Sequence, residues 1–76
     1  MNVQEFGQRT THRMDQLNIK HKKVMEACDV ARTTVRNWRA GKFYPSTHHL
    51  ILLAKCLVTT PNYLLGFDPK DYSPYS

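Results

Sequence analysis

Acidic residues are scarce in this sequence of 76 residues, since six Asp and Glu are outnumbered by eleven Lys and Arg. Long apolar runs are missing as well. The longest, residues 50–54, is far shorter than the roughly 18 to 20 residues that span a bilayer. The first five residues are mostly polar and lack the apolar core of a signal peptide. We therefore expect a cytoplasmic protein with neither a membrane span nor a secretion signal.

Cysteine is almost absent, and Cys28 and Cys56 lack a CxxC motif or a histidine at metal-ligand spacing. In apolar segments of a cytoplasmic protein, we expect both thiols to be buried and reduced. The adjacent His48 and His49 diverge by about 100° on a helix, and with His12 they do not complete a metal site. No P-loop, Ser-His-Asp set or paired carboxylates occur in the sequence. It therefore predicts no enzyme, no metal site and no cofactor.

What the sequence does contain is a concentrated positive charge. The formal net charge is +5, and residues 1–42 hold nine of the eleven basic and four of the six acidic side chains. Such an asymmetry in a small chain is typical of proteins that bind a polyanion. The length allows a single core. We place this core in residues 1–66 and expect residues 67–76 to form a tail that is flexible or part of a dimer contact.

Apolar residues recur at helical spacing along most of the chain. Phe6, Thr10, Met14 and Leu17, for example, fall on one face of a helix, and no strand pattern occurs. Gly41 is placed to end the third helix. We predict an all-α fold of five helices. The first three are expected at residues 5–17, from 20 or 21 to 28, and at 31–40. The fourth follows a cap at Ser46 or Thr47 and ends at residue 57, and the fifth covers 62–65, after the cap Thr60 and with Pro61 at the first helical position.

The second and third predicted helices are joined by a turn of three or four residues, which is the spacing of a helix-turn-helix. On the third helix, Val35 and Trp38 are expected to face the core. Its opposite side carries guanidinium, hydroxyl and amide groups of the kind that bond base edges in the major groove, namely Arg32, Thr33, Arg36 and Asn37.

Taken in order, these features resemble the lambda-repressor-like, or Cro-like, helix-turn-helix regulators. The resemblance covers most of the chain and implies a five-helix DNA-binding domain in which helices 2 and 3 form the helix-turn-helix. It depends on the order and spacing of Phe6-Gly7, His21, Met25, Asp29-Val30, Val35, Trp38, Gly41-Lys42, Pro45-Ser46, Leu50, Leu53-Ala54, Leu57, Pro61 and Leu64-Leu65-Gly66.

The resemblance also implies which residues touch DNA. Base contacts are expected from Arg32, Thr33, Arg36 and Asn37, with Arg32 suited to guanine and Asn37 to adenine. His21 replaces the usual Gln at the start of the second helix, where the helix N-terminus favours a phosphate. The alternative is that Arg32, Arg36 and His21 are ordinary solvated side chains. Further phosphate contacts are expected from Lys42, Tyr44, Asn18, Lys20 and Arg39.

The sequence departs from the family pattern at further places, of which one is Met25, where the family usually has a small residue that lets the two helices approach. The family often pairs an Arg of the first helix with a Glu just after the recognition helix, but these positions hold Met14 and Arg39. We therefore expect this salt bridge to be absent and Arg39 to be free to face DNA. Asp29 replaces the glycine of the turn, and we expect it in the left-handed conformation that Asp tolerates.

The C-terminal region is neutral and rich in aromatic residues. In related proteins the end of the fourth helix and the fifth helix form a dimer contact, which implies an interface at Tyr63, Leu64 and Phe67. Exposed aromatics there, together with Tyr72 and Tyr75, are typical of a self-association surface. The alternative is that the tail folds back over its own core.

The sequence thus predicts a phage or prophage Cro-type repressor in a prokaryotic or phage-infected host cell. It is expected to bind a palindromic double-stranded operator as a homodimer, through the major groove, with no membrane partner and no small-molecule ligand. One alternative is an antitoxin or plasmid regulator on the same fold whose tail binds a protein. Another is a protein-interaction module without base contacts, which the arginines at positions 32, 36 and 39 disfavour.

Overall fold

A computed structural model describes residues 2–67 and confirms the all-helical fold with its five helices. Within that range no strand occurs, and no helix there is long and apolar enough to cross a bilayer. The predictions for the tail, including Tyr72 and Tyr75, concern residues outside the described part. The helices are α1 (Val3–Gln16), α2 (His21–Cys28), α3 (Arg32–Ala40), α4 (Thr47–Cys56) and α5 (Pro61–Leu65).

Three of the helices begin at a polar residue whose side chain accepts a backbone N–H of the first turn. Asn2, Ser46 and Thr60 cap α1, α4 and α5 in this way, which satisfies one of the donors left unpaired at each helix start. The cap at Asn2 explains why α1 begins two residues earlier than predicted. Of the two candidate caps for α4, the structure selects Ser46.

The core lies where α1 packs on α3 and α5, and α2 packs on α3 and α4. Close approach of α1 and α3 requires Gly7, because a Cβ there would lie 2.6 Å from the carbonyl oxygen of Arg39. Gly41 ends α3 in the left-handed conformation at φ 73°, as predicted. The fully buried side chains include Phe6, Met14, Val24, Val35, Trp38, Leu53, Leu57 and Leu64.

The turn between α2 and α3 has the predicted conformation. Asp29 adopts φ 55° and ψ 53°, the left-handed region, and the N–H groups of Asp29 and Val30 both bond the carbonyl oxygen of Met25. Val30 and Met25 pack against the core. The turn thereby closes the end of α2 and leads the chain into α3.

Arg13 is buried, although the apolar face predicted for α1, with Phe6, Thr10 and Met14, does not include it. Its side chain is only 5% exposed, and it donates to the carbonyl oxygens of Leu57 and Val58 over 3.1 and 2.8 Å. Val58 has φ 53°, a conformation that β-branched residues rarely adopt. The guanidinium therefore holds together the strained turn between α4 and α5. Leu17, expected inside, is 38% exposed because α1 ends before it.

Both cysteines are free thiols, as predicted, with Cys28 buried and Cys56 half-buried. Burial first, and the neighbouring Cys56 second, raise the pKa of the Cys28 thiol to about 11. Burial also raises the pKa of Cys56. Both groups are therefore neutral at physiological pH and behave as small apolar side chains.

Candidate nucleic-acid interface

The outer face of α3 presents the four residues that were predicted to contact bases. Arg32, Thr33 and Arg36 are exposed and Asn37 is half-buried. On the other face of the same helix, Val35 and Trp38 are 0% and 1% exposed. A short helix is thus anchored by two buried side chains while its polar groups face outward, which is the arrangement that insertion into a major groove requires.

His21 is the first residue of α2 and lies beside α3. Its Nε2 atom is 3.2 Å from Nη1 of Arg39. The pKa of His21 is lowered from its ordinary value, first by desolvation and then by the positive charges of Arg39, Arg32 and Arg36. The imidazole is therefore mainly neutral at pH 7. Three arginines of α3 are therefore close enough to the start of α2 for their charges to act on His21.

Arg39 is engaged by α1, so the expectation that it has no partner there is wrong, while its contact with DNA stays a prediction. Its Nε donates to Oγ1 of Thr11 over 3.2 Å, and its Nη2 lies 3.9 Å from a carboxylate oxygen of Asp15. A polar link between α1 and the end of α3 therefore exists although Met14 cannot supply it. Asp15 follows Met14 directly. In this chain α1 therefore supplies the acidic partner and α3 the basic one, the reverse of the family pair, and the α1 partner lies one residue further on.

Two clefts of about 350 Å³ each share His21 and Arg39 in their walls. One of them is also lined by Asn18 and Lys20, and the other by Thr11 and Arg36. The first cleft therefore brings together four of the six residues that were predicted to contact phosphates. Asn18 reaches this place because it takes the left-handed conformation, at φ 55°, that ends the turn after α1.

The other two predicted phosphate contacts lie in the loop that follows α3. Lys42 is exposed, and its backbone N–H bonds the carbonyl oxygen of Asn37 over 3.0 Å. Tyr44 is 41% exposed, and its ring lies 5.5 Å from that of Phe6. The loop thus leaves α3 in a fixed direction and keeps both side chains at the surface.

The starts of α2 and α3 differ from those of the other three helices. Within residues 2–67, neither Lys20 before α2 nor Ala31 before α3 supplies a side-chain cap. No side chain of the described residues before these helices therefore competes with an anion for the N–H groups at their starts, and the helix dipole favours an anion there. The two uncapped starts belong to the two helices of the helix-turn-helix.

The residues predicted for a dimer contact do not form one exposed surface. Leu64 is fully buried and Tyr63 is 5% exposed, so the expectation of an exposed ring at Tyr63 is wrong. Arg9 explains its burial, since the guanidinium lies 5.2 Å from the centre of that ring and donates to the Tyr63 carbonyl over 3.1 Å. Phe67, in contrast, is 71% exposed.

Ile51 is a surface residue that sequence reasoning missed. It is 44% exposed on α4. Its exposure could have been predicted from the periodicity. The apolar face of α4 was assigned to Leu50, Leu53, Ala54 and Leu57, and Ile51 does not belong to this set.

Among residues 2–67 no group of three or more His, Cys, Asp or Glu side chains is arranged to hold a metal ion. His49, one of the two adjacent histidines, lies against the core instead, with its ring 5.9 Å from that of Trp38. The chemical groups gathered in this part of the chain are therefore guanidinium, ammonium, amide and hydroxyl donors, which suit phosphates and base edges.

We compared the sequence and the fold of the chain with those of known proteins. No family model matches the chain. The chain is 29% identical over 68 residues to repressor protein C2 of Salmonella phage P22, a match that covers 90% of this chain and 32% of the relative. The chain thus spans about a third of the length of the curated relative that it matches.

The fold is also that of a solved structure, the solution structure of the DNA-binding domain of the P22 C2 repressor, residues 1–76. The identity is 27%, the TM-score is 0.79 and the match covers 96% of each chain. Similarity in sequence and in fold thus points to the same repressor, in agreement with the pattern of helices and spacings. The chain therefore has the fold of that DNA-binding domain, and its similarity to the repressor supports the predicted resemblance to lambda-repressor-like helix-turn-helix proteins.

Proposed function

We propose that this chain is a sequence-specific DNA-binding transcriptional regulator of the phage repressor type. One observation carries the proposal: α3 exposes Arg32, Thr33 and Arg36 from a helix fixed by two buried residues, in a fold that matches a known DNA-binding domain over 96% of its length. Its action is to occupy a promoter in a prokaryotic or phage-infected cell, with no catalytic step.

Base contacts are assigned to the exposed face of α3. The guanidinium of Arg32, at the start of the helix, suits the two acceptors of guanine, and the amide of Asn37, one turn further on, suits adenine. Thr33 and Arg36 lie between them on the same face. Insertion of the N-terminal part of α3 into the major groove brings all four residues to base edges.

Phosphate contacts are assigned to the surroundings of α3. The cleft lined by Asn18, Lys20 and His21 lies at the uncapped start of α2, where backbone N–H groups and the helix dipole add to the side chains. Lys42 and Tyr44 supply contacts from the loop after α3. These contacts determine affinity and register but do not distinguish sequences.

A homodimer on a palindromic operator completes the proposal. Phe67 supports it, because a phenylalanine with 71% exposure is an apolar surface that a second copy can cover. Two-fold symmetry then places two copies of α3 about 34 Å apart, one turn of DNA.

Selection of bound fragments from a random duplex pool tests the proposal. We expect a palindromic consensus with half-sites about one helical turn apart. If the dimer neutralises about 6 to 10 phosphates, affinity for that consensus falls by roughly 10³ to 10⁵ between 50 and 200 mM salt. A flat salt response or a pool without any consensus contradicts the proposal. Phe67→Ser is the variant that tests the dimer, with loss of dimer mass in sedimentation as the expected result.

A further inference from the structure

Arg39 and His21 form a hydrogen bond whose direction is determined by chemistry. Nη1 of Arg39 lies 3.2 Å from Nε2 of His21. A guanidinium group has only donors, so Nε2 must accept the bond. The accepting nitrogen carries no proton, and His21 is therefore neutral with its proton on Nδ1.

The donor in this bond is itself held in place from α1. Nε of Arg39 donates to Thr11 over 3.2 Å, and Nη2 lies 3.9 Å from Asp15. The Arg39 side chain is only 27% exposed. Two groups on α1 thus hold the guanidinium of Arg39 in place, and its Nη1 donates to the imidazole of His21.

The second nitrogen of His21 is left without a partner in the described part of the chain, since no hydrogen bond from Nδ1 is found within residues 2–67. The charged groups around the imidazole are Arg39, Arg32 and Arg36 on α3, Lys20 before α2 and Asp15 on α1. Four of these five are cations. They disfavour the doubly protonated, charged imidazole, and they attract an anion to the same place.

We propose that Arg39 is a positioning residue that fixes His21 as the neutral Nδ1–H tautomer and so supplies the N–H that donates to a DNA phosphate at the start of α2. The proposal rests on the function proposed above. A neutral imidazole that is not constrained favours the other tautomer, with the proton on Nε2. Without Arg39, His21 would have to change tautomer or orientation before it could make the same contact. Arg39 thus acts on DNA through His21 rather than by direct contact.

The tautomer can be measured on the protein without DNA. Two-bond ¹H–¹⁵N correlation spectra at pH 7.5 distinguish a protonated Nδ1 from a protonated Nε2. We expect the Nδ1–H pattern for His21 in the unsubstituted protein and the Nε2–H pattern in Arg39→Met, which keeps the aliphatic stem and loses the donor. Thr11→Val removes one of the two α1 groups that hold Arg39 and leaves Arg39 and His21 unsubstituted, so it should give a mixture. The Nε2–H pattern in the unsubstituted protein would overturn the proposal.

A double-mutant cycle then tests the route to DNA. With the consensus duplex, Arg39→Met should weaken binding by about 2- to 10-fold, the range of one hydrogen bond. In a His21→Ala background the same change should have almost no effect, because both changes remove one contact. Equal effects of Arg39→Met in the two backgrounds would show that Arg39 binds DNA directly, and would contradict the proposal. Arg39→Lys, which keeps a donor and the charge, should restore part of the affinity only where His21 is present.

Failure of the two proposals can be told apart. A protein that binds no duplex in a salt-dependent manner refutes the proposed function, whereas the tautomer of His21 is measured without DNA and stands by itself. A protein that binds DNA but shows the Nε2–H tautomer refutes only the role of Arg39.

Discussion

The arginines of α1 and those of α3 share a side chain and differ in everything that surrounds it. Arg13 is buried and donates to backbone carbonyl oxygens at the end of α4, and Arg9 donates to a carbonyl of α5. Arg32 and Arg36 are exposed. The α1 pair holds the C-terminal helices against the rest of the fold, whereas the α3 pair remains available to a partner.

The difference shows that net charge overstates the surface available to DNA. Two of the eleven basic residues are engaged inside the protein, where carbonyl oxygens replace the water that a buried guanidinium loses. Arg39 is intermediate, because it lies at the end of the recognition helix yet bonds Thr11 and His21. What separates these groups is the set of acceptors within reach, which charge counting does not reveal.

Replacing Arg13 by Met should have the largest effect and should fall on stability. The change removes charge-assisted bonds to two carbonyl oxygens and leaves them unpaired beside a turn with a left-handed valine. We expect the free energy of unfolding to fall by about 2 to 4 kcal/mol, measured by urea denaturation. Arg36→Met is the matched control, since the same substitution at an exposed site should change stability by less than about 0.5 kcal/mol. Equal decreases in the free energy of unfolding of the two variants would contradict a structural role that is specific to the α1 arginines.

Replacing Arg32 by Ala should have the next largest effect, and on binding instead of folding. Loss of a guanidinium that bonds one base is expected to cost about 1 to 3 kcal/mol with the consensus duplex and to relax selection at one position. Unfolding in urea should be unchanged. Lys42→Ala is the comparison, because a phosphate contact weakens all sequences alike and lowers the salt slope by about 1. If Arg32→Ala weakened binding to all sequences equally, Arg32 would contact a DNA phosphate and not a base.

Much of the fold was predictable from local patterns. The face formed by Phe6, Thr10 and Met14, the cap at Thr60 and the left-handed Gly41 all depend on neighbours in sequence, and the structure confirms them. The exposed polar face of α3 follows from the same periodicity. Helix ends were less accurate, since the cap at Asn2 lies before the first apolar residue of the periodic face.

Long-range partners explain what the sequence did not reveal. Arg13 lies seven residues after Phe6 and therefore on the buried face, but its acceptors are 44 and 45 residues away. Tyr63 is buried because Arg9 covers it from 54 residues away. Arg39 bonds Thr11 across 28 residues. In each case an arginine finds its partner only through the tertiary fold, so a local pattern does not reveal which group that is.

The smallest expected effect is a pH dependence of stability that originates at His21. This residue lies at the start of α2, where the charges of the α3 arginines act on it. Its pKa in the folded protein lies below the ordinary value, mainly because of desolvation and the nearby Arg39. In the unfolded chain it takes up a proton near about pH 6.5. Below that pH the unfolded state binds more protons than the folded state, so stability is complete at pH 7.5 and decreases on acidification.

His21→Gln isolates this contribution, because the amide oxygen can still accept a bond from Arg39 but does not titrate. Between pH 7.5 and pH 5.5 the urea midpoint should fall more in the unsubstituted protein than in the variant, and the other three histidines are present in both proteins. Equal shifts would mean that His21 is as solvated when folded as when unfolded. A larger shift in the variant would mean that Asp15 stabilises a charged imidazole more than the three arginines oppose it, and the α3 arginines would then be oriented away from α2.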